Sequence, residues 1–195
     1  MKIFNKDFLE ISNQGKCEQG ALMIAEPFMV GRFFSRAVVL VAEKTEKGIV
    51  GFVLNKVVPY KAPALIDDFP DSDCDLFYGG PLDNDRLFYV HTLGDILEGS
   101  VQISEGLYWG GSLDELKNML RQGYANASNV RFFLGYSGWA EEQLNDEIEM
   151  NNWKVINPNT TAIIPPNVNI WDDILTSLGE PYSHWKNFPR HPSLN

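Results

Sequence analysis

Residues Ala37 to Leu54 read AVVLVAEKTEKGIVGFVL. Two apolar runs, Ala37–Ala42 and Ile49–Leu54, flank the polar segment Glu43–Gly48. Both runs are rich in β-branched residues, which are stiff at χ1 and pack well on a pleated surface. The pattern predicts a β-hairpin with a loop longer than two residues, closed at Gly48. Ala37–Ala42 is apolar almost throughout, so this strand is expected to be buried on both faces. A strand buried twice needs packed layers on both sides, and the rest of the chain must supply them.

Further runs of Val, Ile, Phe and Tyr predict strands at Ala21–Glu26, Leu76–Tyr78, Leu87–His91, Val101–Tyr108 and Val130–Tyr136, with a weak edge at Thr161–Ile164. Helices are expected where the period changes to that of one helical face. Ser112 followed by Glu115 is a capping box, Leu113, Leu116 and Leu120 continue it, and Gly123 marks the stop. A second helix is expected to start near Ser137 or Gly138, with Ala140, Leu144 and Ile148 on one face and Glu141 and Glu142 in its first turn. A third follows Asn169, with Ile170, Ile174 and Leu178 inward and Gly179 as its stop. Short helices are expected at Pro63–Phe69 and Lys6–Ile11. Strands come in runs without steady βαβ alternation, which favours an α+β fold in one domain over 1–195. Its core is expected at about 20–180, with mobile ends at 1–15 and 181–195.

The chain has 195 residues and a formal net charge of −10. Hydrophobic residues make up 44% and charged residues 22%, the balance of a globular domain rather than a disordered one. A net negative field repels DNA, RNA and anionic lipid at long range. Direct nucleic-acid binding is therefore disfavoured. The two cysteines, Cys17 and Cys74, fit neither a disulfide framework nor a zinc site. No apolar run approaches the ~20 residues of a membrane span. The expectation is a cytoplasmic protein with reduced thiols, with no membrane, metal or cofactor.

The three histidines have no metal-ligand spacing, and the acidic stretch Asp67–Asp75 lacks the glycine and closing glutamate of a calcium loop. Gly79-Gly80-Pro81 after a strand suggests a tight turn, with a ligand floor as its functional alternative. Gly135-Tyr136-Ser137-Gly138-Trp139 resembles a nucleophile elbow but has Trp where the last glycine belongs, so Ser137 is read as a helix cap.

Taken together, the motifs resemble the AlgH/YqgE family of bacterial proteins. The resemblance is carried by Pro27, Phe34, Arg36, Val38, Glu43, Gly48, Gly51 and Asn55-Lys56, then Tyr78-Gly79-Gly80-Pro81, Arg86 and His91. It continues through Leu134–Trp139, Gln143-Leu144, Glu147, Asn152-Trp153, Trp171 and Leu178-Gly179. The chain departs from the family pattern at Gly31-Arg32, Ala42-Glu43-Lys44, Asn145 and Ser137. Ser137 stands where the family usually has alanine, which counts against a serine nucleophile. The resemblance implies a single α+β domain with a mixed, partly barrel-like sheet flanked by helices. It implies no established reaction, and a label of transcriptional regulator for some members.

The expected function is non-catalytic binding, with an indirect role in transcriptional regulation. A protein partner or a small anionic ligand is the expected counterpart. The alternatives are a direct DNA-binding regulator, and a small-molecule or nucleotide sensor or enzyme using His91 and Gly135–Trp139. Asn55, Gly79, Gly80, Arg86, His91, Tyr136, Gly138, Trp139, Gln143 and Glu147 are expected to line one binding region.

Overall fold

A computed structural model of the chain describes residues 17–157 and 163–189. The hairpin forms from β2 (Val38–Thr45) and β3 (Gly48–Val53), paired antiparallel. Thr45 pairs directly with Gly48, so the loop is Glu46-Lys47 and shorter than expected. Glu43–Thr45 stays in the ladder because backbone pairing does not require apolar side chains. Val41 pairs with Gly51 and Glu43 with Val50, so Ala42 is the extra residue of a bulge.

The other strands are β1 (Leu22–Ala25), β4 (Val57–Lys61), β5 (Asp75–Tyr78), β6 (Leu82–His91), β7 (Ser100–Ser104), β8 (Leu107–Gly110), β9 (Val130–Trp139) and β10 (Trp153–Ile156). The run Val101–Tyr108 is thus two strands, divided at a turn where Gly106 has φ of 73°. The helices are α1 (Leu113–Arg121), α2 (Glu141–Glu149) and α3 (Ile170–Leu178).

The strand order is β10-β1-β2-β3-β9-β6-β8-β7. One edge of β9 pairs with β6; the other pairs first with β5, in parallel, and then with β3. The sheet is mixed through that one parallel pairing, and it is open. It curls far enough that one apolar cluster joins Leu22 and Leu40 near one end to Ile103 and Leu107 at the other. Gln19 spans the gap, its amide donating to the Gln102 carbonyl at 2.7 Å.

Three cores result. The concave face is plugged by α3 and a 3-10 turn, Tyr182–Asn187, which bring in Trp171, Leu175 and the fully buried Trp185. Residues 181–189 are therefore packed, not a loose end. The outer face of β1–β3 packs on Leu144 and Ile148 of α2. The outer face of β5, β9 and β6 packs on Leu116 and Leu120 of α1. Burial of β2 on both faces follows from this layering.

Ser112 caps α1 and accepts from the Glu115 N–H at 3.3 Å. The Glu115 carboxylate turns instead to the Glu98 N–H, so the box is half closed. α2 starts later than expected, after Ala140, because β3 pairs with Ser137–Trp139 and holds them in strand. Ser137 is thus not a cap, and Ala140 is exposed rather than inward. Only Ala62–Ala64 of the expected helix near Pro63–Phe69 forms, as 3-10. Ile163-Ile164 is not strand, while Thr161-Ala162 and Lys6–Ile11 lie outside the described residues.

Gly79 and Gly80 do not form the expected tight turn. Neither takes positive φ. They lie where β9 changes partner from β5 to β3, and the backbones touch. A Cβ on Gly79 would stand 2.2 Å from the Gly135 carbonyl oxygen, and one on Gly80 2.3 Å from that of Tyr136. Gly80→Ala should cost about 3 kcal/mol, the upper end of overpacking. Gly123→Ala, which meets only open space at φ +77°, should cost about 1 kcal/mol. Urea unfolding of both variants checks the ordering; equal losses would show that the crossing can relax.

Candidate functional site

Arg36 lies two residues before β2 and Asn55-Lys56 two and three residues after β3, so the hairpin brings its own two ends together. Asn55 is the clamp. Its side-chain oxygen accepts from the Val38 N–H at 3.1 Å, and its amide donates to the Arg36 carbonyl at 2.9 Å. These bonds hold Arg36 at φ +51°, a region that branched or bulky residues avoid. The Arg36 guanidinium lies 4.9 Å over the Trp171 ring and donates to the Phe188 carbonyl. Trp171 is itself fixed by its indole N–H, which donates to the Ala25 carbonyl at 2.9 Å. Lys56 Nζ donates to the Ser35 carbonyl at 2.5 Å.

These residues wall a cleft of about 180 Å³, completed by Asn169 and Asp172 at the start of α3. Two fixed cations, an indole and a carboxylate line it. Beside it on the same loop, Arg32 stacks 4.6 Å over Tyr78. The arrangement can hold a small polar ligand through charge-assisted hydrogen bonds.

The residues expected to line one region are divided among several. Tyr136, Gly138 and Trp139 line a groove of about 250 Å³ with Gly48, Ile49, Val50 and Leu82. Gly79 and Gly80 are buried behind it. Ser137 Oγ is fully buried and donates to the Gly79 carbonyl at 3.0 Å, so it is no nucleophile. Asn55 belongs to the cleft. Arg86 lies on an exposed part of β6, 3.6 Å from Asp83.

Trp139, Gln143 and Glu147 form a knot with Trp153. Glu147 Oε2 accepts both indole N–H groups, from Trp139 at 3.1 Å and Trp153 at 2.8 Å, while Oε1 accepts from Gln143 at 2.9 Å. Phe34 packs on both indoles, at 5.8 and 5.7 Å between ring centroids. This knot pins α2 to the sheet. Glu147→Leu should remove the acceptor that both indole N–H groups share, at about 1–3 kcal/mol for a buried donor that loses its partner. A lower Tm with an altered tryptophan emission maximum is expected; an unchanged Tm would remove the knot from the stability of the fold.

His91 lies elsewhere. It pairs with Val130 at the start of β9, eight residues from Gly138, or roughly 25 Å along an extended strand. Its ring is fully buried and stacks on Tyr108. Nδ1 accepts from the Leu93 N–H at 3.2 Å, which leaves Nε2–H to donate to the Gly110 carbonyl at 3.1 Å. Burial pushes its pKa below the usual 6.5, and the bond to Gly110 opposes that only in part. Protonation would also break the bond from Leu93. The unfolded chain binds this proton more readily than the native one, so stability should fall as pH drops below about 6.5 and level off below the native-state pKa. Denaturant titrations from pH 7.5 to 5 should show this slope in the wild type and a shallower one in His91→Gln.

Within the acidic stretch, Lys61 lies between Asp73 and Asp75 at 3.0 and 2.7 Å, and Asp68 lies 3.7 Å from Arg121 and 3.9 Å from Lys117. Among the described residues no helix is long and apolar enough to cross a membrane.

Sequence reading placed Asn55 in a site but assigned no binding role to Arg36, Lys56 or Trp171. The signal was present for two of them: residues just before and just after a hairpin must be neighbours. Trp171 carried no such signal, because α3 arrives from over a hundred residues away.

An open, mixed, curled sheet with helices on both faces and a charged cleft at the base of its hairpin defines an α+β protein without a nucleophile–base pair at the serine motif. The AlgH-like family model matches residues 22–183, and the chain belongs to that family. It is 39% identical over 197 residues to a UPF0301 protein of Parabacteroides distasonis, covering 100% of this chain and 96% of that one. It is 38% identical over 197 residues to a UPF0301 protein of Bacteroides thetaiotaomicron, covering 100% of both. Among solved structures, a crystal structure of a protein from Corynebacterium diphtheriae matches with a TM-score of 0.72 at 22% identity, over 96% of this chain and 100% of that one. The solution structure of the AlgH protein from Pseudomonas aeruginosa matches with a TM-score of 0.68 at 25% identity, over 98% of this chain and 100% of that one.

Proposed function

We propose that the protein acts by binding rather than by catalysis, and that the cleft between Arg36, Lys56 and α3 holds a small anionic group such as a carboxylate or phosphate. The observation that carries this reading is the rigid placement of two cations around one cleft in a chain of net charge −10. At physiological salt, charges are screened over about 8 Å. A small anion inside the cleft meets Arg36 and Lys56, two positive charges against the single carboxylate of Asp172. A nucleic acid must approach the acidic surface as a whole, so an effect on transcription is indirect, through ligand occupancy or a protein partner. The buried Ser137 and the remote His91 support the non-catalytic reading. The proposed setting is the cytoplasm, where the buried Cys17 and Cys74 remain thiols.

Thermal shift and calorimetry with acetate, phosphate and N-acetylglycine test the reading. A saturating anion at ~100 times its Kd should add about 2.7 kcal/mol. Lys56→Gln should weaken it about tenfold, the loss of one charge-assisted bond. No response to any of the three at tens of millimolar, or equal affinity in Lys56→Gln, would overturn it. Tight, salt-dependent binding of duplex DNA would do so as well.

A further inference from the structure

We infer that the loop from Phe28 to Phe33 is a docking surface for a protein segment that presents one aspartate or glutamate between apolar side chains, with Arg32 receiving the carboxylate. The surface is separate from the cleft and does not depend on what the cleft holds. The loop joins β1 to β2 and reads Phe28-Met29-Val30-Gly31-Arg32-Phe33. Val30 is 73% exposed and Phe28 41%. Single exposed apolar residues mean little. Here two of them and an exposed arginine fall within five residues, a span of at most about 14 Å. That fits easily inside one side of a standard interface of about 800 Å². Aromatic residues and arginine are also the types that dominate interface energetics.

Arg32 gives the surface its chemistry. Its guanidinium lies 4.6 Å over the Tyr78 ring and 5.7 Å from the Phe33 centroid. A guanidinium resting on a ring is engaged through its flat face, and its N–H donors remain available in its own plane. Among the described residues no acceptor or carboxylate meets them. The other exposed arginines among those residues each have an aspartate: Arg86 lies 3.6 Å from Asp83, and Arg121 3.7 Å from Asp68. In a chain with 26 acidic residues against 16 basic ones, a fixed fork of donors without a carboxylate stands out. A carboxylate accepts that fork through two parallel bonds.

The loop is built in advance. The Glu26 carboxylate accepts from the Phe28 N–H at 2.9 Å, and the Glu26 carbonyl from the Met29 N–H at 3.2 Å. Across the tip, the Ser35 N–H donates to the Gly31 carbonyl at 3.2 Å. Phe28 packs on Phe188 at 4.9 Å between centroids, and Phe34 anchors the far end against Trp139 and Trp153. Val30 is thus held outward by a bonded loop, so little ordering cost remains on binding. The overall charge of −10 repels a strongly acidic partner, a nucleic acid or an anionic membrane at long range. One carboxylate on an otherwise near-neutral, apolar segment meets Arg32 without that opposition.

The test is selection of a random dodecapeptide library on the full chain, followed by fluorescence polarisation of the enriched peptides. They should carry an Asp or Glu flanked by apolar residues. Arg32→Gln should weaken them about tenfold, the worth of one charge-assisted bond, and so should the acid-to-amide change in the peptide. The two changes together should cost no more than either alone, which marks a direct contact. Val30→Ser should weaken the same peptides, whereas Lys47→Gln on the β2–β3 loop should not. Arg32 is exposed, so a Tm near that of the wild type shows that its variant is folded. Enrichment of no sequence, enriched peptides without an acid, or equal binding to Arg32→Gln each overturns the inference. Duplex DNA or phosphatidylserine vesicles that bind the wild type and not Arg32→Gln would overturn the protein partner. A dimer in sedimentation that Arg32→Gln dissociates would replace that partner with a second copy of the chain.

Discussion

Everything in this structure depends on β9 being shared. Its edge toward β5 and β3 changes partner near Gly135, which takes φ of +68° with a would-be Cβ only 2.4 Å from the Leu82 carbonyl oxygen. Gly79 sits at the switch: its N–H donates to the Leu134 carbonyl at 2.8 Å, and its own carbonyl accepts from the Val53 N–H at 2.9 Å and from Ser137 Oγ at 3.0 Å. One carbonyl thus ties two strands and a side chain together. Any Cβ at this crossing would push β3 away from β9, and the hairpin with it. The glycine motifs are therefore packing devices that let three backbones meet.

From that crossing the hairpin projects its open end toward α3. Its base is set by Arg131, a buried guanidinium that donates to the Ile163 carbonyl at 2.6 Å and to the Leu54 carbonyl. Arg131 lies 4.2 Å over Phe77, and its Nε finds no acceptor. Burial pulls its pKa down to about 9. A buried cation with no carboxylate in ion-pair contact is expensive, and the charge of Asp75 offsets the burial only in part. Here it fixes Leu54, the residue before Asn55, and with it one wall of the cleft. The concave core, the cleft and the C-terminal turn around Trp185 are thus one mechanical unit.

Local features were readable in the chain. The hairpin, the capped start of α1, and the stop of α3 at Gly179 follow from residue type and spacing. Less readable were limits set by pairing across distance. Ser137–Gly138 carries helix-start signals but is strand, because β3 supplies a partner that local propensity does not record. His91 looked like a binding residue in sequence, yet two backbone groups and burial make it a packed neutral ring. Asn55 was legible as important, although its carboxamide is spent on the backbone and the charges it positions belong to Arg36 and Lys56.

Sequence alone determined the class of fold, the strong strands and helices, the acidic balance and the family, because these rest on composition, short-range periodicity and motif order. Only the tertiary structure decided which motifs meet. The serine of the elbow-like motif is buried against Gly79, the histidine lies at the far end of β9, and Arg36, Lys56 and Asp172 share one cleft. The reason is that a hairpin brings its own ends together by local pairing, whereas α3 reaches that site only by packing on a core assembled from distant strands.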